Sequence, residues 1–171
     1  MSGEMRRERI LAMLQDTNEP ISGGALAKEL GVSRQVIVQD IALIRAVNKN
    51  IMATNKGYIV YSPETDDSGA RRVVHVKHDD SQMEDELNTI VDFGGRVLDV
   101  FVDHPIYGQI MVDLLINNRR DVEDFLDKIK EEKTTPLMGL TDGVHYHTIT
   151  AASDEVLDVI ENALKKRGYL L

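Results

Sequence analysis

Apolar positions in the first sixty residues recur at intervals of three and four, the period of an amphipathic helix. Ile10, Leu11 and Leu14 mark a first helix over residues 5–14, beside Arg6, Arg7 and Arg9, and Asn18-Glu19-Pro20 breaks it. Ser22 is placed to cap a second helix and Gly31 to stop it, and Ser33 caps a third that runs to about Ala46. Leu26, Leu30, Val32, Ile37 and Ile41 form the core that these helices share. Only Gly31-Val32-Ser33 joins helices two and three, so the chain must turn sharply there, as in a helix-turn-helix. Ala27 is small enough for close helix approach, and Gly31 supplies a left-handed residue four positions later. The period then drops to two. Ile51 and Ala53, then Tyr58 and Val60, alternate around Asn55-Lys56-Gly57, which predicts a β-hairpin wing with Lys56 at its tip.

The remaining chain alternates between the two periods. Strands are expected over 72–78, 96–104, 107–116, 142–150 and 168–171. Helices are expected over 80–93 (Met83, Leu87, Ile90, Val91 inward), 120–131 (Val122, Phe125, Leu126, Ile129 inward) and 152–167. This β-α-β-β-α-β-α-β order predicts an α+β domain with an antiparallel or mixed sheet and helices on one face. SPETDDSGARR, rich in turn formers and acids, separates the halves. The expected organisation is a winged helix-turn-helix domain over 1–62, a linker over 63–70 and the α+β domain over 71–171.

Charge sharpens this division. The net charge is −9, yet residues 1–62 hold 8 basic and 6 acidic side chains, and all of the excess acid lies beyond them. A mildly basic head on an acidic body points to a head that approaches a polyanion while the body stays away. With no cysteine, disulfides, thiolate metal sites and cysteine nucleophiles are excluded. MSGEMRRERI has no apolar leader core, and the longest apolar run, IMVDLLI, has seven residues including Asp113. The expectation is a cytoplasmic chain with no membrane segment.

Candidate chemistry differs between the halves. In the head, Ser33, Arg34, Gln35, Val38 and Gln39 fall on the outer face where the third helix begins, the positions that meet base edges when such a helix enters the major groove. Arg34 can fork onto guanine, Gln35 or Gln39 onto adenine, and Lys56 suits a backbone phosphate. In the body there is no glycine-rich phosphate loop and no nucleophile elbow. All five histidines lie there: His75, His78, His104, His145 and His147. His145 and His147, two apart on a strand, point to the same face. If the first and fourth body strands are neighbours, His78 and Glu86 can converge with them. Such a set suits a divalent zinc, nickel, cobalt or iron ion. An exposed histidine pair beside a solvated acidic helix face is the alternative. His75, three residues from His78, should face the other way.

VKHDD with Glu86, DHPIYG at 103–108, NNRRDVEDF at 117–125 and GVHYHTI at 144–149 resemble the niacin-responsive transcriptional repressors of NAD biosynthesis, in which a winged helix precedes a 3H domain. The likeness spans both halves. It implies a homodimer on operator DNA with nicotinic acid as corepressor, and a divalent transition metal on the residues matching His78, Glu86, His145 and His147. His104 is the remaining family histidine; with Tyr107 it is assigned to the effector pocket, the alternatives being a turn-holding histidine and a core tyrosine. Two other functions compete: a repressor for which the ion itself is the signal, and a metal-dependent hydrolase fused to a DNA-binding head.

Overall fold

A computed structural model describes residues 1–47, 50–61 and 69–171. It divides into two compact units, Met1–Asp66 and Asp67–Leu171. Residues 63–68 of the expected linker lie outside the described residues.

In the first unit α1 (Gly3–Gln15), α2 (Gly23–Leu30) and α3 (Arg34–Val47) enclose a core of Ile10, Leu14, Leu26, Ile37, Ile41, Ile44 and Ile51, with Leu30 and Val32 partly buried against it. The local chemistry fixes the boundaries. The Ser22 hydroxyl accepts from the Ala25 amide at 3.1 Å, and the Ser33 hydroxyl accepts from the Val36 amide at 3.3 Å. Gly31 ends α2 at φ 65°, in the left-handed region where a side chain would be strained. The wing is β1 (Ile51–Thr54) antiparallel to β2 (Gly57–Val60). Tyr58 and Ile21 exchange backbone hydrogen bonds at 2.8 Å in both directions, so β2 is tied to the chain entering α2. Gly57 permits this approach, because a Cβ there would lie 2.3 Å from the Ile21 carbonyl oxygen.

In the second unit β3 (Ala70–Lys77), β4 (Arg96–His104), β5 (Gly108–Ile116) and β6 (Val144–Ala151) form one antiparallel sheet in the order β3-β6-β4-β5. The helices α4 (Met83–Asp92), α5 (Arg119–Glu131) and α6 (Asp154–Lys166) cover one face. Leu87, Ile90, Val122, Leu157, Ile160 and Leu164 pack there on Val74, Val76, Val97, Ile116 and Ile149. The α+β expectation holds, with three local differences. The helix expected from residue 80 begins as one 3-10 turn, Asp80–Gln82, fixed by an Asp79 capping box. A second 3-10 turn, Leu137–Thr141, lies in a stretch with no helical apolar stripe. The expected last strand reduces to a single bridge from Leu170 to Val76, flanked by backbone hydrogen bonds between Lys77 and Tyr169 and between Leu171 and His75. Among the described residues no helix is long and apolar enough to cross a membrane.

Candidate functional site

The register of the sheet assembles the centre. Val76 pairs with His145 and Val74 with His147, so both imidazoles share the helix-covered face with the buried valines. His75, of opposite parity, lies on the other face and stacks on Tyr146 at 4.2 Å, which stacks on Phe101 at 4.8 Å. His78 follows β3 at the same sheet end, and Glu86 reaches in from the first turn of α4.

All four side chains are buried, and Glu86 has 0% exposure. The His78 Nε2 is 2.7 Å and the His145 Nε2 3.5 Å from Glu86 Oε2, and the His147 Nε2 is 3.2 Å from Oε1. Each ring's other nitrogen is committed to the backbone: Nδ1 of His78, His145 and His147 lies 2.8, 2.9 and 2.7 Å from the carbonyls of Asp79, Gly143 and Asp99. A carbonyl only accepts, so each Nδ1 carries a proton. In a neutral ring Nε2 is then a bare lone pair aimed at the carboxylate. Three lone pairs facing an ionised carboxylate repel unless positive charge sits among them. Burial alone would push the Glu86 carboxyl up, but the charge of His147 and the close approach of all three rings hold it well below the usual carboxylate range. Burial likewise opposes charging of His78 and His147, yet Glu86 outweighs it and raises both. The Oε1 atom has no properly aligned donor even so. Protons or a metal ion can supply the missing charge. The donor set, three imidazole nitrogens and one carboxylate with backbone carbonyls fixing the tautomers, is that of a borderline divalent ion. The ligand atoms of His78, Glu86 and His145 lie within 4.8 Å of one another, and His147 approaches this group through its Nε2, 3.2 Å from Glu86 Oε1.

Two supporting residues have no counterpart among the sequence-derived candidates. Asp99 sits where the β4 register shifts; its carbonyl holds His147, while its carboxylate accepts from the Thr148 amide at 2.8 Å. The Gly143 carbonyl orients His145 and accepts from the His78 amide at 3.4 Å. Any Cβ on Gly143 would lie 2.3 Å from the His78 carbonyl oxygen. The Asp142-Gly143 pair shortly before the histidines signals a turn, but not that the turn holds both His78 and His145 in place.

A cavity of about 220 Å³ opens beside the centre. Met83, Leu87, Val100, Phe125 and Met138 form apolar walls, and Glu86, His145 and His147 present the polar surface. His104 and Tyr107 do not line it. They belong to the β4–β5 turn, where His104 Nδ1 accepts from the Ile106 and Tyr107 amides, both at 3.2 Å, and Tyr107 is 76% exposed. The histidine is thus engaged in holding the turn, and the tyrosine ring is in solvent rather than in a core.

In the head, Ser33, Arg34, Gln35, Val38 and Gln39 are all exposed along the start of α3. The Arg34 stem passes beside Gly23 and Tyr58. Lys56 is half-buried in the tip of the wing. The periodicity does not bring out Asp40, which is buried in α3 and held by Arg6 at 2.5 Å and Arg7 at 3.4 Å. Its position on the Ile37–Ile41–Ile44 stripe was the available signal. These two arginines therefore tie α1 to α3.

Residues 71–171 match the 3H domain, and residues 6–59 match a helix-turn-helix domain. The Probable transcription repressor NiaR of Thermotoga maritima is 43% identical over 170 residues, 98% of this chain and 95% of that protein. The Transcription repressor NadR of Bacillus subtilis is 39% identical over 172 residues, 100% of this chain and 96% of that protein. This protein is accordingly a DNA-binding regulator rather than an enzyme, and it belongs to the transcription-repressor family that its motifs resemble, a helix-turn-helix head joined to a 3H domain.

Proposed function

We propose that this repressor controls genes of NAD biosynthesis or niacin uptake, with nicotinic acid as its corepressor. The observation that carries the reading is the apolar cavity ending on Glu86, His145 and His147. A flat aromatic ring is accommodated by Met83, Leu87, Phe125 and Met138, while the anionic or basic edge of the ring meets the buried polar cluster. His78, Glu86, His145 and His147 hold a zinc, nickel, cobalt or iron ion. Such an ion supplies a Lewis-acid position for a carboxylate or pyridine nitrogen. The protein's own contribution is to fix the imidazole tautomers through three carbonyls and to exclude water with the apolar wall. This reading assigns the effector to the cavity and leaves His104 and Tyr107 to the β4–β5 turn.

The protein acts in the cytoplasm as a homodimer, its two α3 helices reading half-sites about one DNA turn or a multiple apart. Ser33, Arg34, Gln35, Val38 and Gln39 face the bases, and Lys56 faces a phosphate. The test is operator binding with and without nicotinic acid, on metal-replete and chelator-stripped protein. Tightening by nicotinic acid in the replete protein alone is expected. Full tightening by the ion without nicotinic acid would make the metal the signal, and would overturn the corepressor assignment.

A further inference from the structure

The sheet has two edges, and the chain treats them differently. Along β3 the C-terminal segment acts as a cover: the Lys77 amide donates to the Tyr169 carbonyl at 2.8 Å, and the Leu171 amide donates to the His75 carbonyl at 2.9 Å. Along β5, among the described residues, only β4 is paired. Exposed edges are ordinarily blunted by lysine, proline, a bulge or a covering segment, because their unpaired backbone groups template another strand. The strand GQIMVDLLI has no lysine, arginine or proline, and Asp113 is its one charge. Residues 108–113 pair with β4 in unbroken register, and the irregularity falls beyond them. Met111, on the face away from the helices, is 48% exposed, and Val112, which also lines the cavity, is 43% exposed, so this edge reaches solvent on both faces.

We propose that the edge formed by residues 108–113 of β5 pairs antiparallel with the same edge of a second copy, joining two four-stranded sheets across a two-fold axis. Antiparallel self-pairing is isologous by construction: each copy offers the other the same donors and acceptors. It also brings the exposed tip residue Ile106 of one copy alongside the other copy's 114–120 segment, which gives that apolar side chain a cover. Of the two edge strands, β3 carries Arg71, Arg72 and Lys77 whereas β5 carries one charge, so two copies meet on β5 with the less like-charge repulsion. This rests on the dimeric-repressor reading above and names the surface that reading requires.

Amide exchange and sedimentation on the full chain test it. Met111 lies outside the histidine–glutamate centre and its cavity, so Met111→Lys places two cations at the axis and leaves metal content alone. The wild type is expected to sediment as a dimer, with every amide of residues 108–113 slow to exchange; Met111→Lys should sediment as a monomer in which alternate amides of that stretch become fast. A dimeric wild type with alternate fast amides there overturns the edge assignment while the dimeric reading stands. A wild type that is monomeric both alone and on operator DNA overturns both.

Discussion

In the head, Asp40 is 2% exposed between two arginines; in the body, Glu86 is 0% exposed among three imidazoles. Each carboxylate has lost its water, and each is compensated by side chains from outside its own helix. The partners differ in one property. A guanidinium is always charged and only donates, so Asp40 is neutralised permanently and the result is a strut between α1 and α3. A neutral imidazole with its Nδ1 proton fixed offers a lone pair instead, so Glu86 is brought together with its partners and still needs a cation. Burial of an acid therefore does not mark a site. What marks one is a set of partners that leaves the charge balance open.

The largest effect expected from this contrast is at Glu86. Glu86→Gln keeps the shape and supplies an amide donor to the imidazoles, but removes the anionic ligand. The variant should fold and should lose its metal on purification, as read by elemental analysis. Its thermal stability should fall by the linkage contribution of the bound ion, about 4 kcal/mol for an ion present at about a thousand times its dissociation constant. Asp40→Asn should behave in the opposite way. It strands two arginines that still reach water, at 16% and 33% side-chain exposure, so the cost should be about 1–3 kcal/mol, below that of breaking a fully buried pair. Metal content should not change. An Asp40→Asn protein that lost metal, or a Glu86→Gln protein that kept it, would break the distinction between strut and site.

The same contrast explains what was legible in the sequence. His145 and His147 share a face because strand periodicity is two, and that much needs no tertiary information. Their union with His78 and Glu86 depends on β3 lying beside β6, which the sequence left conditional. On that condition spacing already suggested all four residues, and the motif likeness implied the same four. The grip of Gly143 and Asp99 on the rings was invisible, since both act through backbone carbonyls that any residue carries. Asp40 was missed for a different reason: its partners sit more than thirty residues earlier, where arginines on a helix read as a basic surface. The 3-10 turn Leu137–Thr141 was missed because it has no apolar period, although it helps to wall the cavity.

Exposed groups of the head should give smaller and more local effects. Arg34→Ala should weaken operator binding by about 1–3 kcal/mol and relax base preference at one position in each half-site, measured by competition among operator variants. Unchanged preference would mean that α3 does not present Arg34 to a base.

Lys56 should give the smallest effect, and of a different kind. The wing tip is set by its own backbone: the Thr54 hydroxyl donates to the Gly57 carbonyl at 2.9 Å and accepts from the Lys56 amide at 3.2 Å. Replacing Lys56 with alanine leaves those bonds in place, so the hairpin keeps its shape while the ammonium is removed. An ammonium near one phosphate releases about one counterion on binding, whatever the sequence beneath it. Lys56→Ala should therefore lower affinity equally for operator and unrelated DNA, and reduce the slope of log affinity against log salt by about 1. The ratio of specific to non-specific binding should stay constant across salt titrations of both duplexes. If that ratio fell while the slope held, Lys56 would be reading a base edge, and the wing, like α3, would take part in choosing the sequence.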